Sequence, residues 1–151
     1  MQTTAIIEHI SNWLTNYATT NRIQGFVIGV SGGIDSAVCS TLAAKTGLPL
    51  LCMEIPIHQN KQQIARGLQH IIWLKSNFKN VHSVELELTP IFDAFIKQLP
   101  KNNEKNELAL VNTRARLRMT ALYYFAQANN ALVIGTGNKV EDFGIGFFTK
   151  Y

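Results

Sequence analysis

Gly25-Phe26-Val27-Ile28-Gly29-Val30-Ser31-Gly32-Gly33-Ile34-Asp35-Ser36 is the stretch on which the fold turns. The apolar run from Gly25 to Val30 reads as a short buried strand, and Ser31 to Ser36 as the turn after it. Residues 35–46 are alanine-rich and helical, closed by Gly47 and Pro49. In this strand–turn–helix context two adjacent glycines let backbone N–H groups turn inward with no Cβ in the way. Together with the helix N-terminus they make a concave anion site, to which two serine hydroxyls add donors. A Walker loop would also supply a lysine, and none stands here. Asp35 stands in the turn instead, and its carboxylate would repel a bare polyphosphate unless a hard cation such as Mg²⁺ lay between them. The loop therefore points to a magnesium polyphosphate. A plain glycine turn with a capping aspartate fits the string less well, because the flanking strand and helix are both present.

Outward from this unit the alternation continues. Ile6, Ile10, Trp13, Leu14 and Tyr17 recur at helical spacing and predict an amphipathic helix over residues 3–20. Leu50 to Ile55 reads as a second buried strand, Lys61 to Ser76 as a helix, and Val81 to Leu88 as an alternating third strand. Thr89-Pro90 opens a helix that stops at Pro100, Lys101 to Lys105 is a polar loop, Asn106 to Asn130 is a long helix, and Ala131 to Thr136 is a fourth strand. Strands alternating with helices predict an α/β domain with a mostly parallel sheet covered on both faces. The loops at 31–36, 56–60 and 137–150 should then converge at the carboxyl edge of that sheet.

The 151 residues suit one domain, 1–151, and 46% apolar content argues for a packed core rather than disorder. No apolar run approaches the roughly 20 residues that span a bilayer, and the N-terminus lacks the layout of a signal peptide. Cys39 and Cys52 match neither a zinc pattern nor a disulfide framework and read as small buried hydrophobes of a reducing, cytoplasmic compartment. The net charge of +4 is spread along the chain, with one cluster at Arg114, Arg116 and Arg118. That is no nucleic-acid stripe with interleaved aromatics, and an anionic small molecule accounts for it better.

Ser31 to Ser36 resembles the pyrophosphatase loop, Ser-Gly-Gly-x-Asp-Ser, of the ATP-pyrophosphatase superfamily. NAD, GMP and asparagine synthetases and some tRNA-modifying ligases share it. Asn112-Thr113-Arg114-Ala115-Arg116-Leu117-Arg118-Met119 resembles the Asn-x-x-Ala-Arg-x-Arg-Met motif of NAD synthetases. Gly135-Thr136-Gly137-Asn138-Lys139-Val140-Glu141 and Gly146-Phe147-Phe148-Thr149-Lys150-Tyr151 resemble the segment after that family's fourth strand. The blocks are ordered as in the ammonia-dependent NAD synthetases, and the similarity runs through essentially the whole chain.

The resemblance implies a Rossmann-like, doubly wound parallel sheet of the adenine nucleotide alpha hydrolase-like type. It implies amidation of deamido-NAD to NAD through an adenylate that ammonia attacks, with release of AMP and pyrophosphate and no covalent nucleophile on the protein. ATP contacts are implied for Gly29, Val30, Ser31, Gly32, Gly33, Ile34, Asp35, Ser36 and Thr136. Contacts with deamido-NAD are implied for Asn112, Arg116 and Lys150, and Mg²⁺ ligation for Asp35 and Glu141. A homodimer is the expected assembly.

Helix geometry bears on the arginines. Asn112 and Arg116 are i,i+4 neighbours on one face, while Arg114 and Arg118 lie roughly 160 to 200° away from Arg116. The second pair is expected to be solvated or held in structural ion pairs. His9, His58, His70 and His82 share no ligand spacing and read as surface or capping residues. Trp13 and Trp73 are expected in helix packing, and Tyr123, Tyr124 and Phe125 in the core or a dimer contact.

Two departures limit the carry-over. Glu54-Ile55-Pro56 stands where many relatives have an arginine before Leu-Pro, so the resemblance carries no adenine contact to that position. The family's later acidic glycine-rich loop, a further ATP-contacting lysine and a C-terminal substrate segment have no counterpart here. The C-terminal part of the family domain is thus expected to be missing, and the chain alone to bind nucleotide weakly without making NAD. The rival readings are another ligase of the superfamily, GMP synthetase-like or tRNA-modifying, and a non-catalytic nucleotide-binding or dimerising fragment.

Overall fold

A computed structural model describes residues 2–100 and 107–145. The expected loop from Lys101 to Lys105 and the Phe147–Lys150 segment lie outside them. In chain order the elements are α1 (Thr3–Thr20), β1 (Gly25–Gly29), α2 (Ile34–Lys45), β2 (Leu50–Glu54), α3 (Lys61–Asn77), β3 (Val81–Glu85), α4 (Thr89–Gln98), α5 (Glu107–Ala128) and β4 (Ala131–Val133), followed by a π-helical turn at Val140–Ile145. The strands form one parallel sheet in the order β3-β2-β1-β4.

Alternation along the strands divides the core. Phe26, Ile28, Val30, Leu50 and Cys52 point to one face, where Ala18 of α1, Ala43 and Ala44 of α2 and Ile71 and Leu74 of α3 cover them. Val27, Met53 and Ile55 point to the other, under Phe92 of α4 and Leu117, Leu122 and Ala126 of α5. The doubly wound α/β expectation holds.

β3 and β4 are shorter than the sequence suggests. Leu86 N–H still donates to Glu54 O at 2.9 Å and Leu88 N–H to Pro56 O at 3.1 Å. Pro56 has no N–H to return, so the ladder stops. The π-helical turn was unforeseen; it opens where Asn138 Oδ1 accepts from Val140 and Glu141 N–H, both at 3.0 Å.

Both tryptophans depart from expectation. Trp13 is 57% exposed and stacks on exposed Tyr17, and Trp73 is half exposed against His70 and Phe78. Apolar spacing found the helices, but their outer turns carry aromatics too. The cysteines are free; Cys52 is buried and Cys39 half-buried. Burial pushes the Cys52 thiol up to about 12, and burial and then the Asp35 charge raise Cys39. Among the described residues no helix is long and apolar enough to cross a membrane.

Candidate functional site

From β1 the chain moves outward through β2 to β3, then returns to place β4 on the other side of β1. The loops after β1 and β4 therefore part above the sheet and leave a crevice at its carboxyl edge, the place where open α/β sheets bind ligands. A cavity of about 600 Å³ lies there. Gly29, Val30 and Ser31 line it from β1 and its loop, and Gly135 and Thr136 from the segment after β4. Met53, Ile55, Ile57, Leu122, Val133 and Ile134 give it an apolar wall.

The turn after β1 is tightly built. Gly32 has φ +79°, and a Cβ there would meet Gln63 O of α3 at 2.4 Å, so only glycine fits between loop and helix. Gln59 Nε2 donates to Ser31 O at 3.4 Å and Arg66 Nε to Gly32 O at 3.3 Å, which occupies the loop's outer carbonyls. The start of α2, at Gly33, has no side-chain cap hydrogen bond. The first amides of α2 are thus left to a ligand or to water.

The Ser36 hydroxyl departs from expectation. Ser36 is 2% exposed; its hydroxyl donates to Gly33 O at 3.0 Å and accepts from Ser31 N–H at 3.2 Å. Ser31 Oγ lies 3.2 Å from Ser36 Oγ and accepts from Gly33 N–H at 3.3 Å. In this arrangement the hydroxyls brace the turn, and the Ser36 hydroxyl faces inward.

Asp35 sits in the first turn of α2, half-buried, and Asn138 Nδ2 donates to its Oδ2 at 3.3 Å. The same Asn138 holds the Glu141 amide through its Oδ1, so one amide side chain ties the two acid-bearing segments together. Glu141 itself is exposed. These are hard oxygen donors of the kind Mg²⁺ takes. Among the described residues no cluster of three or more His, Cys, Asp or Glu could hold a metal ion. An ion between Asp35 and Glu141 would need ligand oxygens to complete its shell, as Mg²⁺ on a polyphosphate does.

The arginines correct the sequence reading. Arg114 and Arg118 line the cavity, whereas Asn112 and Arg116, half-buried on α5, do not. Arg118 Nε donates to Ile55 O at 2.8 Å, and its terminal nitrogen to Gln59 Oε1 at 3.2 Å. Burial, and then Arg114, lower the Arg118 pKa, while Glu54 opposes the shift. Arg114 lies 5.5 Å from the centre of the Phe92 ring. The two faces were separated correctly, but the expectation of solvated or ion-paired side chains for Arg114 and Arg118 fails, because that face also carries the apolar residues that meet the sheet. Lys150 lies outside the described residues.

Sequence reasoning gave three further groups no role in a site. His58 lines the cavity, with Nε2 2.7 Å from Asp93 Oδ1. His70 Nε2 lies 2.9 Å from the fully buried Ser40 hydroxyl, and burial lowers its pKa. Glu54 is only 4% exposed; burial, then Glu85 and Glu87, raise its pKa, and Arg118 pulls the other way. Its register partner across the sheet is Glu85. The spacing of the histidines carried no signal, but the departure at Glu54 did.

Comparison with known proteins supplies the rest. The family model described as NAD synthase matches residues 6–151. The NH(3)-dependent NAD(+) synthetase of Malacoplasma penetrans (strain HF-2) is 42% identical over 97% of this chain and 56% of its own length. Among solved structures, NMN synthetase from Francisella tularensis superposes with a TM-score of 0.87 at 36% identity, covering 99% of this chain and 60% of that one. The NH3-dependent NAD synthetase from Campylobacter jejuni, solved with nitrate ion, gives 0.85 at 33% identity, covering 99% of this chain and 62% of that one. The chain thus spans a little over half the length of these relatives.

Proposed function

The chain belongs to the NAD synthase family, and from that premise we propose that the protein carrying it makes NAD from deamido-NAD, ATP and ammonia, releasing AMP and pyrophosphate. The observation that carries this reading is Ser31, which lines a cavity with an apolar wall and two arginines and leads through Gly32 into the uncapped start of α2.

In this reading the α2 amides and the Ser31–Ser36 turn hold the β- and γ-phosphates, and the apolar wall from Met53 to Ile57 takes the base. Asp35 and Glu141 would hold Mg²⁺, which supplies charge neutralisation at the phosphates and the departing pyrophosphate. The nicotinate carboxylate attacks the α-phosphorus, forming the acyl adenylate. Ammonia then attacks the carbonyl carbon and AMP leaves. No protein nucleophile is needed; the protein's share is alignment and electrostatics. Thr136 lines the cavity and would meet ATP. Asn112, Arg116 and Lys150 remain the proposed contacts for deamido-NAD, with Arg114 and Arg118 added on the ATP side. We place the homodimer contact on α5, where Met119, Tyr123 and Tyr124 are exposed. The two free cysteines suit a cytoplasmic setting.

The Francisella tularensis neighbour, named an NMN synthetase, favours a second substrate of the same chemistry, nicotinate mononucleotide. One assay separates the readings: each acid is supplied with ATP, Mg²⁺ and an ammonium salt, and AMP is followed with the amide product. AMP formed one for one with NAD supports the proposal, and AMP formed with the mononucleotide amide supports the second reading. Release of ADP and phosphate would contradict both.

A further inference from the structure

His58 stands in the turn after β2 with φ +49°, a left-handed conformation that strains a residue bearing a Cβ. Three contacts with α4 hold it there. Its N–H donates to Thr89 Oγ1 at 3.0 Å, its ring meets Phe92 edge to face at 5.9 Å, and Nε2 lies 2.7 Å from Asp93 Oδ1. The side chains of His58 and Asp93 are 50% and 45% exposed, and a pair so open to water contributes little to stability. A strained backbone fixed by a weakly stabilising pair, on the wall of a ligand cavity, points to function rather than folding.

Asp93 also sets the chemistry of the ring. A carboxylate can only accept, so Nε2 carries the proton, and in the neutral imidazole Nδ1 is a bare acceptor. Among the described residues the ring's side-chain hydrogen bond is through Nε2, and Nδ1 accepts none. The cavity wall leading to His58 is Met53, Ile55 and Ile57, which suits a flat base, and Glu54 does not line it.

We propose that His58, oriented by Asp93, is a specificity residue of the nucleotide cavity: its Nδ1 accepts from the 6-amino group of the purine and so favours 6-amino over 6-oxo purines. The proposal rests on the nucleotide reading of the cavity.

The test is calorimetric binding of Mg·ATP, Mg·ITP and Mg·2′-deoxy-ATP to the chain, to His58→Gly and to Asp93→Ala. ITP alters only the N1–C6 edge, where the amino donor becomes a carbonyl acceptor and N1 gains a hydrogen, and a lost hydrogen bond facing a second acceptor is expected to weaken binding about tenfold. His58→Gly relieves the left-handed backbone, so its thermal midpoint should hold or rise while the ATP-to-ITP preference collapses toward one. Asp93→Ala should keep His58 but reduce the preference, which a purely structural role would leave alone. Equal binding of ATP and ITP by the parent overturns the proposal while leaving the nucleotide site standing. So does a preference that survives His58→Gly, or discrimination only against the 2′-deoxy nucleotide. Binding of none of the three overturns the nucleotide reading and the proposal with it.

Discussion

Replacing Gly32 with alanine tests whether the turn after β1 is built by the close approach of α3. Gly32 and Gly47 have nearly the same backbone, φ +79° and +75°, yet a Cβ at Gly32 would sit 2.4 Å from Gln63 O and 3.1 Å from Gly67 N, while one at Gly47 meets nothing within 4 Å. Both substitutions incur the left-handed cost of roughly 1–2 kcal/mol, partly offset by a stiffer unfolded chain, for a net loss of about 1 kcal/mol. Gly32→Ala adds overpacking against backbone that cannot rotate away, about 1–3 kcal/mol more. For a chain of this size that amounts to about 3 °C in Tm for Gly47→Ala and roughly 6–12 °C for Gly32→Ala. Thermal unfolding followed by far-ultraviolet circular dichroism measures both, and Mg·ATP titration should weaken only for Gly32→Ala. Equal Tm losses would refute the wedge of the loop against α3.

Arg118→Ala removes two charged hydrogen bonds at the cavity wall and should weaken Mg·ATP about tenfold or more, whereas Arg116→Ala should leave ATP binding nearly unchanged; calorimetry on both variants decides, and equal losses would reject the facing argument. The raised Glu54 pKa means that the folded state holds this proton more tightly than the unfolded chain does. Its contribution is therefore present below the ordinary carboxylate range and is lost as pH rises through the raised value. Glu54→Gln should accordingly raise Tm near neutral pH and flatten the decline above the ordinary carboxylate range, as melts across pH would register. Cys52, with its thiol near 12, should react with a thiol reagent only after denaturation, and Cys39 slowly in the native state; fast labelling of both in the native state would contradict the packing.

The sequence carried most of the architecture because helix and strand periods differ and the turn chemistry is explicit. Every helix from α1 to α5 falls within about two residues of its expected limits. Strand ends were less legible, since β3 stops where Pro56 has no N–H to return, a property of its neighbour rather than of β3 itself. The tight turn after β1 was legible from adjacent glycines between a strand and a helix. The orientation of α5 was misread although a signal existed. Leu110, Leu117, Ala121, Leu122 and Phe125 form the stripe that packs on the sheet, and Arg114 and Arg118 lie within it. Two arginines inside an apolar stripe must emerge at its edge, here the carboxyl edge of the sheet. The His58–Asp93 pair was not legible, because its partners are 35 positions apart and meet only through the placement of α4.

In the proposed reaction the turn after β1 binds ATP through a magnesium ion shared with Asp35. Calorimetric titration of ATP into the parent chain and into Asp35→Asn, each with Mg²⁺ and with excess chelator, tests it most directly. Asparagine keeps the size and one acceptor at this half-buried position, so the fold should survive and its thermal midpoint serves as the control. The parent should show Mg²⁺-dependent binding, and Asp35→Asn its loss or a fall of at least about tenfold, as removal of one charged metal ligand implies. Equal Mg·ATP affinity in the two proteins, or binding by the parent that is indifferent to the chelator, would contradict it.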